Sequence, residues 1–224
     1  METWRVASAG WGRCRRLTAG VCPVVSDLDG AAVREQDGFV AVAGWLKAFA
    51  DPPVLALDRQ CVTCTPPVAD PDVIAFSEYW KVVLHPDQTV PGACLIGSLR
   101  HVARVGELSR DEATDFFALY SVVEAALESV LGADLVNVWC LRNWAFRRTD
   151  PDPPFLDGRP NPHVHWHVAP RYSSPVVFGD ETFVDDEFGE QLTWRSRHID
   201  EAVRRGLIER VRQALPIEYL LPST

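Results

Sequence analysis

The stretch His163-Val164-His165-Trp166-His167-Val168-Ala169-Pro170-Arg171 decides both the fold and the chemistry of this chain. Side chains in a strand alternate between its two faces, with residues i and i+2 about 6.5–7 Å apart. An extended chain over 163–169 therefore places His163, His165 and His167 on one face and apolar side chains on the other. Three of the six histidines of the protein lie in this stretch. The pattern indicates a functional site built on a strand.

Two kinds of chemistry are open to such a row of imidazoles. Neutral imidazole is the commonest metal ligand among side chains, so the row could hold a catalytic divalent metal. Alternatively, one imidazole could attack phosphorus, because a pKa of about 6.5 leaves it largely neutral at physiological pH. Catalytic metal sites usually include carboxylates, and none follows in Ala169-Pro170-Arg171-Tyr172. The sequence therefore favours a nucleophile and keeps the metal as the alternative.

The surrounding pattern predicts an α+β domain with an antiparallel sheet. Clusters of β-branched and aromatic residues predict strands over 73–76, 79–84, 93–98 and 134–141. The clearest helix is predicted over 110–131, with a capping box formed by Ser109 and Glu112 and an end at Gly132. A second amphipathic helix is predicted over 197–215. Strands joined to helices by short links favour the antiparallel α+β class.

With 224 residues, the chain is long enough for one well-packed domain and an appendage. Residues 1–55 lack sustained periodicity and are predicted to form an irregular N-terminal extension that includes a short helix. A catalytic domain is predicted over 56–175. The tail over 176–224 is predicted to pack its amphipathic helix on that domain.

The net charge of −9 argues against broad binding to nucleic acid, which depends on Lys and Arg neutralising phosphates. No apolar run approaches the roughly 20 residues needed to cross a bilayer, and no signal-peptide core follows the basic residues near the N-terminus. We therefore expect a cytoplasmic protein without nucleic-acid or membrane partners. A small anionic ligand is compatible with this charge, because a site can be locally positive.

The stretch 163–171 resembles the signature of the histidine triad (HIT) superfamily, including the Pro-Arg that follows the triad in many members. Four upstream segments resemble family segments in the same order: Val90-Pro91-Gly92, 93–98, Arg100-His101-Val102 and Leu108-Ser109. Asn161-Pro162-His163 also resembles a stretch of galactose-1-phosphate uridylyltransferase, a relative in the superfamily. The resemblance implies an antiparallel HIT-like sheet with one long capping helix, a C-terminal helix, and a homodimer.

The resemblance further implies a two-step reaction on a small-molecule nucleotide. His165 would take the nucleotidyl group as a phosphoramidate, His167 would position the phosphate or assist proton transfer, and water would release the nucleoside monophosphate. The family's transferases carry Gln in place of the third His, so His167 favours hydrolysis, for example of a diadenosine polyphosphate or an adenosine phosphoramidate. A nucleotidyltransferase and a non-catalytic nucleotide-binding module stay open as alternatives.

The sequence departs from the family pattern around the substrate. Many HIT hydrolases carry a phosphate-binding Gln where this chain has Gly158-Arg159-Pro160, so Arg159 either supplies charge or is a solvated loop residue. His85 stands where the family often has Asn or Asp for the ribose. Asn137 and Asn143 are polar candidates for the pocket, or else ordinary strand-end and loop asparagines. The predicted substrate-binding residues are His85, Asn137, Asn143, Arg159 and Asn161.

Cys61-Val62-Thr63-Cys64 has the spacing that lets two thiolates share one tetrahedral zinc. HIT relatives with a structural zinc take the other two ligands from the His of the basic-His-Val segment and from the first His of the triad. The resemblance therefore implies a structural Zn²⁺ held by Cys61, Cys64, His101 and His163. Two free cysteines beside a turn are the alternative. No organic cofactor is expected.

Overall fold

The structure is a computed structural model that describes residues 61–64 and 70–220 of the chain. The extension predicted over 1–55 lies outside the described residues. In the described part, an antiparallel sheet of five strands carries two α-helices, so the predicted α+β class is confirmed. No helix in these ranges is both long and apolar enough to cross a bilayer.

The main sheet consists of β1 (Val73–Phe76), β2 (Trp80–Leu84), β3 (Cys94–Ser98), β4 (Leu135–Trp139) and β5 (His165–Arg171). Its strand order is β1-β2-β3-β5-β4, and every neighbouring pair is antiparallel. The strand that carries the histidines is therefore an interior strand, paired on both sides. A separate hairpin of β6 (Val176–Phe178) and β7 (Glu181–Phe183) follows, and the sequence does not predict it.

The long helix α1 (Arg110–Leu131) has the predicted bounds and the predicted ends. The Ser109 hydroxyl accepts a hydrogen bond from the backbone N–H of Glu112, and the Glu112 carboxylate accepts one from the backbone N–H of Ser109. Gly132 ends the helix in the left-handed conformation at φ 72°. The apolar stripe packs on the sheet, where the Phe116 ring lies 4.8 Å from the Trp166 ring of β5.

The C-terminal helix α2 (Glu201–Arg212) is shorter than the predicted range of 197–215. Asp200 caps it by accepting a hydrogen bond from the backbone N–H of Val203 at 2.8 Å. Residues 184–199, which we call the strap, have no regular secondary structure and connect β7 to this helix. The predicted helix began too early, within the strap. Apolar spacing does not show that the backbone there forms hydrogen bonds to another part of the protein.

Two buried carboxylates hold the strap on the domain. Asp185 receives a bidentate ion pair from Arg171 at the end of β5, at 2.7 Å and 3.0 Å. Asp87, in the loop after β2, accepts hydrogen bonds from the backbone N–H groups of Ser196 and Arg197 at 2.7 Å and 3.0 Å. The carboxylates of Asp87 and Asp185 are 8% or less exposed, so each bond forms away from bulk water.

We expect acid to weaken the interactions by which Asp87 and Asp185 hold the strap on the domain. Burial alone would raise the pKa of Asp87 and of Asp185, but their hydrogen bonds outweigh it and both pKa values lie below the usual value. Such groups stabilise the folded state above the unfolded pKa of about 3.9 and lose this contribution as the pH falls through the folded pKa. We therefore expect the free energy of unfolding, measured by urea denaturation, to fall below about pH 4.

The matched variants are Asp185→Asn and Asp87→Asn. Each removes one titrating group, so each should flatten the decline of stability between about pH 4 and pH 2. Asp185→Asn leaves the buried Arg171 guanidinium without its counter-charge, so stability at pH 7 should fall by roughly 3 kcal/mol or more. The same acid slope in the double variant as in the wild type would contradict the assignment.

Candidate functional site

The four predicted metal ligands lie together at the edge where β3 ends and β5 begins. Cys61 precedes a short 3₁₀ turn and Cys64 is its last residue, and their sulfurs lie near histidines that are distant in sequence. The Cys61 Sγ lies 3.2 Å from His163 Nδ1, and the Cys64 Sγ lies 3.3 Å from His101 Nδ1 and 3.4 Å from His163 Nδ1. All four donor atoms lie within 4.8 Å of one another.

The three sulfur–nitrogen separations of 3.2, 3.3 and 3.4 Å are close to those around one tetrahedral zinc. With Zn–S and Zn–N bonds of about 2.3 Å and 2.0 Å, donor atoms around one zinc lie roughly 3.3–3.8 Å apart. Two sulfurs and two imidazole nitrogens without a carboxylate or an open position are typical of a structural site. Hydrogen bonding from Cys64, opposed by burial, holds the pKa of Cys61 well below its ordinary value. The cluster therefore favours the thiolate that zinc requires.

The orientation of His163 is determined by the end of β3. Its Nε2 lies 2.9 Å from the backbone carbonyl of Ser98 and 2.9 Å from the Ser98 hydroxyl. A carbonyl oxygen can only accept, so Nε2 carries the proton and Nδ1 presents its lone pair to the two sulfurs. Metal-binding histidines are commonly oriented by such a hydrogen bond from the second nitrogen.

A glycine in β3 lets the cysteine turn approach the sheet. A Cβ at Gly97 would lie 2.5 Å from Cγ2 of Thr63, which stands between the two cysteines. It would also lie 4.0 Å from the Cβ of His165, the residue that pairs with Gly97 across the sheet. Any larger residue at this position would displace the turn, because the short, branched Thr63 side chain has no flexible end to move away.

His163 lies outside the strand, which corrects the predicted range of 163–169. The strand β5 starts at His165. Just before it, the carbonyl of Val164 still accepts a hydrogen bond from the N–H of Ser98 in β3 at 3.2 Å, but the N–H of Val164 donates to the carbonyl of Val102 at 2.7 Å. His165 and His167 alone among the three histidines therefore share a strand face.

His165 is oriented so that one nitrogen is available for chemistry. Its Nδ1 lies 2.9 Å from the backbone carbonyl of His163, which can only accept, so Nδ1 carries the proton. The neutral ring then has its lone pair on Nε2. Burial lowers the pKa of His165, which favours this neutral form at pH 7.

His167 lies 5.2 Å from His165, between ring centroids, in an apolar and aromatic surrounding. Burial, together with the neighbouring His165 and His85, lowers the pKa of His167 to about 3, so the ring is neutral. Its Nδ1 is buried and has no hydrogen-bond partner among the described residues. An orphaned buried nitrogen beside His165 is a group that a substrate or water could satisfy.

Three rings from separate parts of the chain lie near His167, and we call them the aromatic wall: His85, Trp139 and Trp194. Trp139, at the end of β4, is parallel to the His167 ring at 5.8 Å and 9°. His85 lies 5.4 Å from His167, and the strap residue Trp194 lies 6.1 Å from it. The predicted substrate residue His85 is therefore brought to the histidines.

The structure commits Asn137 to another partner and leaves Asn143 at the surface. The side-chain oxygen of Asn137 accepts a hydrogen bond from Arg171 at 3.1 Å. Asn143 is exposed at the first position of a 3₁₀ turn, Asn143–Phe146. Arg159 and Asn161 line a surface cavity with Leu156, Asp157 and Pro160. The substrate roles of these asparagines and of Arg159 stay predictions.

Several residues that shape the site were not predicted. Ser98 and Gly97 end β3 beside the metal ligands, and their proximity to Arg100-His101-Val102 is the signal that could have drawn attention to them. Trp139 lies within the strand predicted over 134–141 and pairs with His167, so the register of the sheet would have indicated it. No sequence pattern indicates Trp194 or Asp87 as part of the site. Only the path of the strap brings Trp194 near His167 and the strap backbone to Asp87.

The chain is similar to several solved structures. A hypothetical histidine triad nucleotide-binding protein from Sulfolobus tokodaii strain7 is 14% identical, with 69% of this chain and 91% of that chain covered and a TM-score of 0.48. A Zn-bound histidine triad family protein from Mycobacterium smegmatis is 20% identical, with 68% and 94% covered and a TM-score of 0.45. A uridylyltransferase is 13% identical, with 80% of this chain and 50% of that chain covered and a TM-score of 0.47.

The solved structures that match thus include histidine triad proteins and a uridylyltransferase. No protein-family model matches the sequence, and no curated protein matches it. The roles of individual residues, the homodimer and the cytoplasmic location therefore stay predictions, and the site geometry carries the functional argument.

Proposed function

We propose that the protein is a nucleotide hydrolase of the HIT type that acts through a covalent nucleotidyl-His165 intermediate. The observation that carries this proposal is the hydrogen bond from His165 Nδ1 to the carbonyl of His163 at 2.9 Å. It fixes the tautomer in which the other nitrogen, Nε2, is an unprotonated nucleophile. It also orients the ring without using a second side chain.

The first step forms a bond from Nε2 of His165 to the nucleotidyl phosphorus and breaks the bond from phosphorus to the leaving group. The leaving group departs with the electron pair and takes a proton from solvent. In the second step, water attacks phosphorus and releases a proton to solvent, the N–P bond breaks, and its electron pair returns to Nε2 of His165 as the nucleoside monophosphate leaves. His167 is neutral, so it can hydrogen-bond to the phosphate or relay a proton without adding a fixed charge.

The metal cluster lies next to the nucleophile and supports the proposed chemistry by holding His163 in place. Zinc, when bound, would supply a rigid link between the cysteine turn and the residues that precede β5. His163 contributes its Nδ1 to that cluster and its carbonyl to His165, so one residue joins the cluster to the nucleophile. The assignment leaves His165 and His167 free for phosphate and gives the metal no part in the reaction.

Hydrolysis is favoured over transfer because the third histidine of the triad is retained at His167. The specific substrate class we propose is a phosphoanhydride or phosphoramidate of a nucleotide, such as a diadenosine polyphosphate or an adenosine phosphoramidate. A nucleotidyltransferase is the second candidate, and the Asn161-Pro162-His163 stretch favours it. Pre-steady-state kinetics with inorganic phosphate or a sugar phosphate as acceptor separate the two, because only a transferase forms a new nucleotidyl product.

The deciding experiment is to trap the intermediate. Wild type, His167→Ala and His165→Ala are exposed briefly to a panel of labelled nucleotides and then analysed by intact-mass spectrometry at neutral pH. We expect an added nucleoside monophosphate on wild type or on His167→Ala, and none on His165→Ala. An adduct that persists on His165→Ala would overturn the assignment. No adduct and no turnover across the panel would favour a non-catalytic nucleotide-binding module.

A further inference from the structure

The aromatic wall beside His167 has no part in the two chemical steps. Trp194 stacks on His85, with ring centroids 4.4 Å apart and the planes 9° from parallel, and it lies 6.0 Å from Trp139. The four rings, including His167, come from the loop after β2, from β4, from β5 and from the strap. An arrangement drawn from so many parts of the chain requires the complete tertiary structure.

The two tryptophans of the wall differ from a core tryptophan in exposure. Trp80 is fully buried, whereas Trp139 and Trp194 are only partly buried. His85 beneath Trp194 is 3% exposed, so the wall has a closed inner side and an outer side that reaches solvent. A partly exposed aromatic surface beside a reactive group is the kind of surface on which nucleic-acid bases stack.

The distances suit one ligand that spans both regions. The ring centroid of His165 lies 5.2 Å from that of His167, which in turn lies 6.1 Å from that of Trp194. A nucleoside monophosphate can bridge this span with its phosphate at one end and its base at the other. The region between contains neutral imidazole and indole rings, which suit an uncharged base.

We propose that Trp194 is a specificity-determining residue that stacks on the aromatic base of the nucleotide bound at His165. The inference rests on the proposed function, since it assumes a nucleotide whose phosphorus lies at His165. It extends that function by assigning base recognition to the strap, which lies outside the motifs around the triad.

Asp87 is the positioning residue for Trp194. Its carboxylate accepts hydrogen bonds from the backbone N–H groups of Ser196 and Arg197, which follow Trp194 closely, and from the N–H and hydroxyl of Thr89. The Thr89 hydroxyl lies 2.9 Å from the backbone N–H of Arg195, to which it is an acceptor. Backbone groups on the residues right after Trp194 are therefore bound to one loop, which holds the indole in place without a direct contact between Asp87 and a ligand.

The test compares a ligand with a base and one without. Wild type and Trp194→Ala are titrated with AMP and with ribose 5-phosphate by isothermal titration calorimetry at neutral pH. We expect Trp194→Ala to weaken AMP binding by roughly 5- to 150-fold, the usual effect of removing one aromatic partner of a base. Ribose 5-phosphate binding should be unchanged, and Trp194→Phe should restore most of the AMP affinity.

Two further variants separate stacking from a general loosening of the strap. Trp144→Ala removes a partly exposed tryptophan that stacks with Arg147 instead of the wall, so AMP binding should be unaffected. Asp87→Asn should weaken AMP binding, and adding Trp194→Ala to it should have little further effect, because both act through the same ring.

The outcomes distinguish this inference from the function on which it rests. AMP binding that is equal in wild type and Trp194→Ala would overturn the stacking role while the nucleotide function stands. Tighter AMP binding by Trp194→Ala would show that the indole occupies the position of the base, and would also overturn it. No binding of AMP or ribose 5-phosphate to wild type would overturn both proposals.

Discussion

Replacing His165 by alanine should lower the turnover of a nucleotide substrate by at least about 10⁴-fold. Removing a covalent nucleophile commonly lowers turnover by this factor or more. The remaining groups cannot form the covalent intermediate, so the two-step pathway is no longer available. In this protein the loss follows from one atom, Nε2 of His165, whose lone pair is set by the hydrogen bond from Nδ1 to the His163 carbonyl. The measurement is the steady-state release of nucleoside monophosphate from the nucleotide that labels the wild type.

His167→Ala is the informative comparison. It keeps the nucleophile and removes a neighbour 5.2 Å away, so we expect a smaller loss, on the order of 10²- to 10⁴-fold, as for a group that assists proton transfer. Circular dichroism of each variant confirms that the sheet persists. If His165→Ala kept more than about a tenth of wild-type turnover, the covalent mechanism would have to be abandoned.

The second large effect concerns zinc. We expect purified protein to contain about one equivalent of zinc, and Cys61→Ser to contain little or none, because a structural zinc site needs all four ligands. A structural zinc contributes several kcal/mol of folding free energy, so the melting temperature should fall by about 10 °C or more. Metal analysis by mass spectrometry and thermal unfolding followed by circular dichroism measure the two effects.

Two control variants make the zinc result specific. Cys140→Ser changes a cysteine that lies outside the cluster, so zinc content should not change. Gly97→Ala keeps all four ligands but places a Cβ 2.5 Å from Thr63, so it should weaken zinc binding by displacing the cysteine turn. Wild-type protein that lacks zinc after growth and purification in zinc-containing medium would contradict the metal assignment.

Much of the fold followed from local patterns. The bounds and both ends of α1 were predicted because a capping box and a left-handed glycine act within a few residues. The strands of the main sheet were predicted to within two residues at each end because their apolar clusters are short and well separated. The β6–β7 hairpin was missed, since three-residue strands carry too little pattern to be recognised.

Part of the candidate site was likewise predicted from the sequence, and part became visible only in the structure. Spacing and resemblance suggested the four residues of the metal cluster, and the fold places their donor atoms together. The roles within the triad were suggested by the resemblance and stay predictions, and the structure adds that His163 precedes the strand that His165 begins. The role predicted for Asn137 stays a prediction, but no local pattern indicates that its side-chain oxygen accepts a hydrogen bond from Arg171.

The stretch His163-Val164-His165-Trp166-His167 by itself determined that imidazoles alternate with apolar side chains along an extended segment. That alternation follows from backbone geometry, which is local and therefore readable from a single sequence. The tertiary structure alone decided what surrounds these imidazoles: the Ser98 carbonyl at His163, the aromatic wall at His167, and the strap that carries Trp194. Contacts between residues far apart in the chain depend on the whole packing arrangement, and no local pattern encodes them.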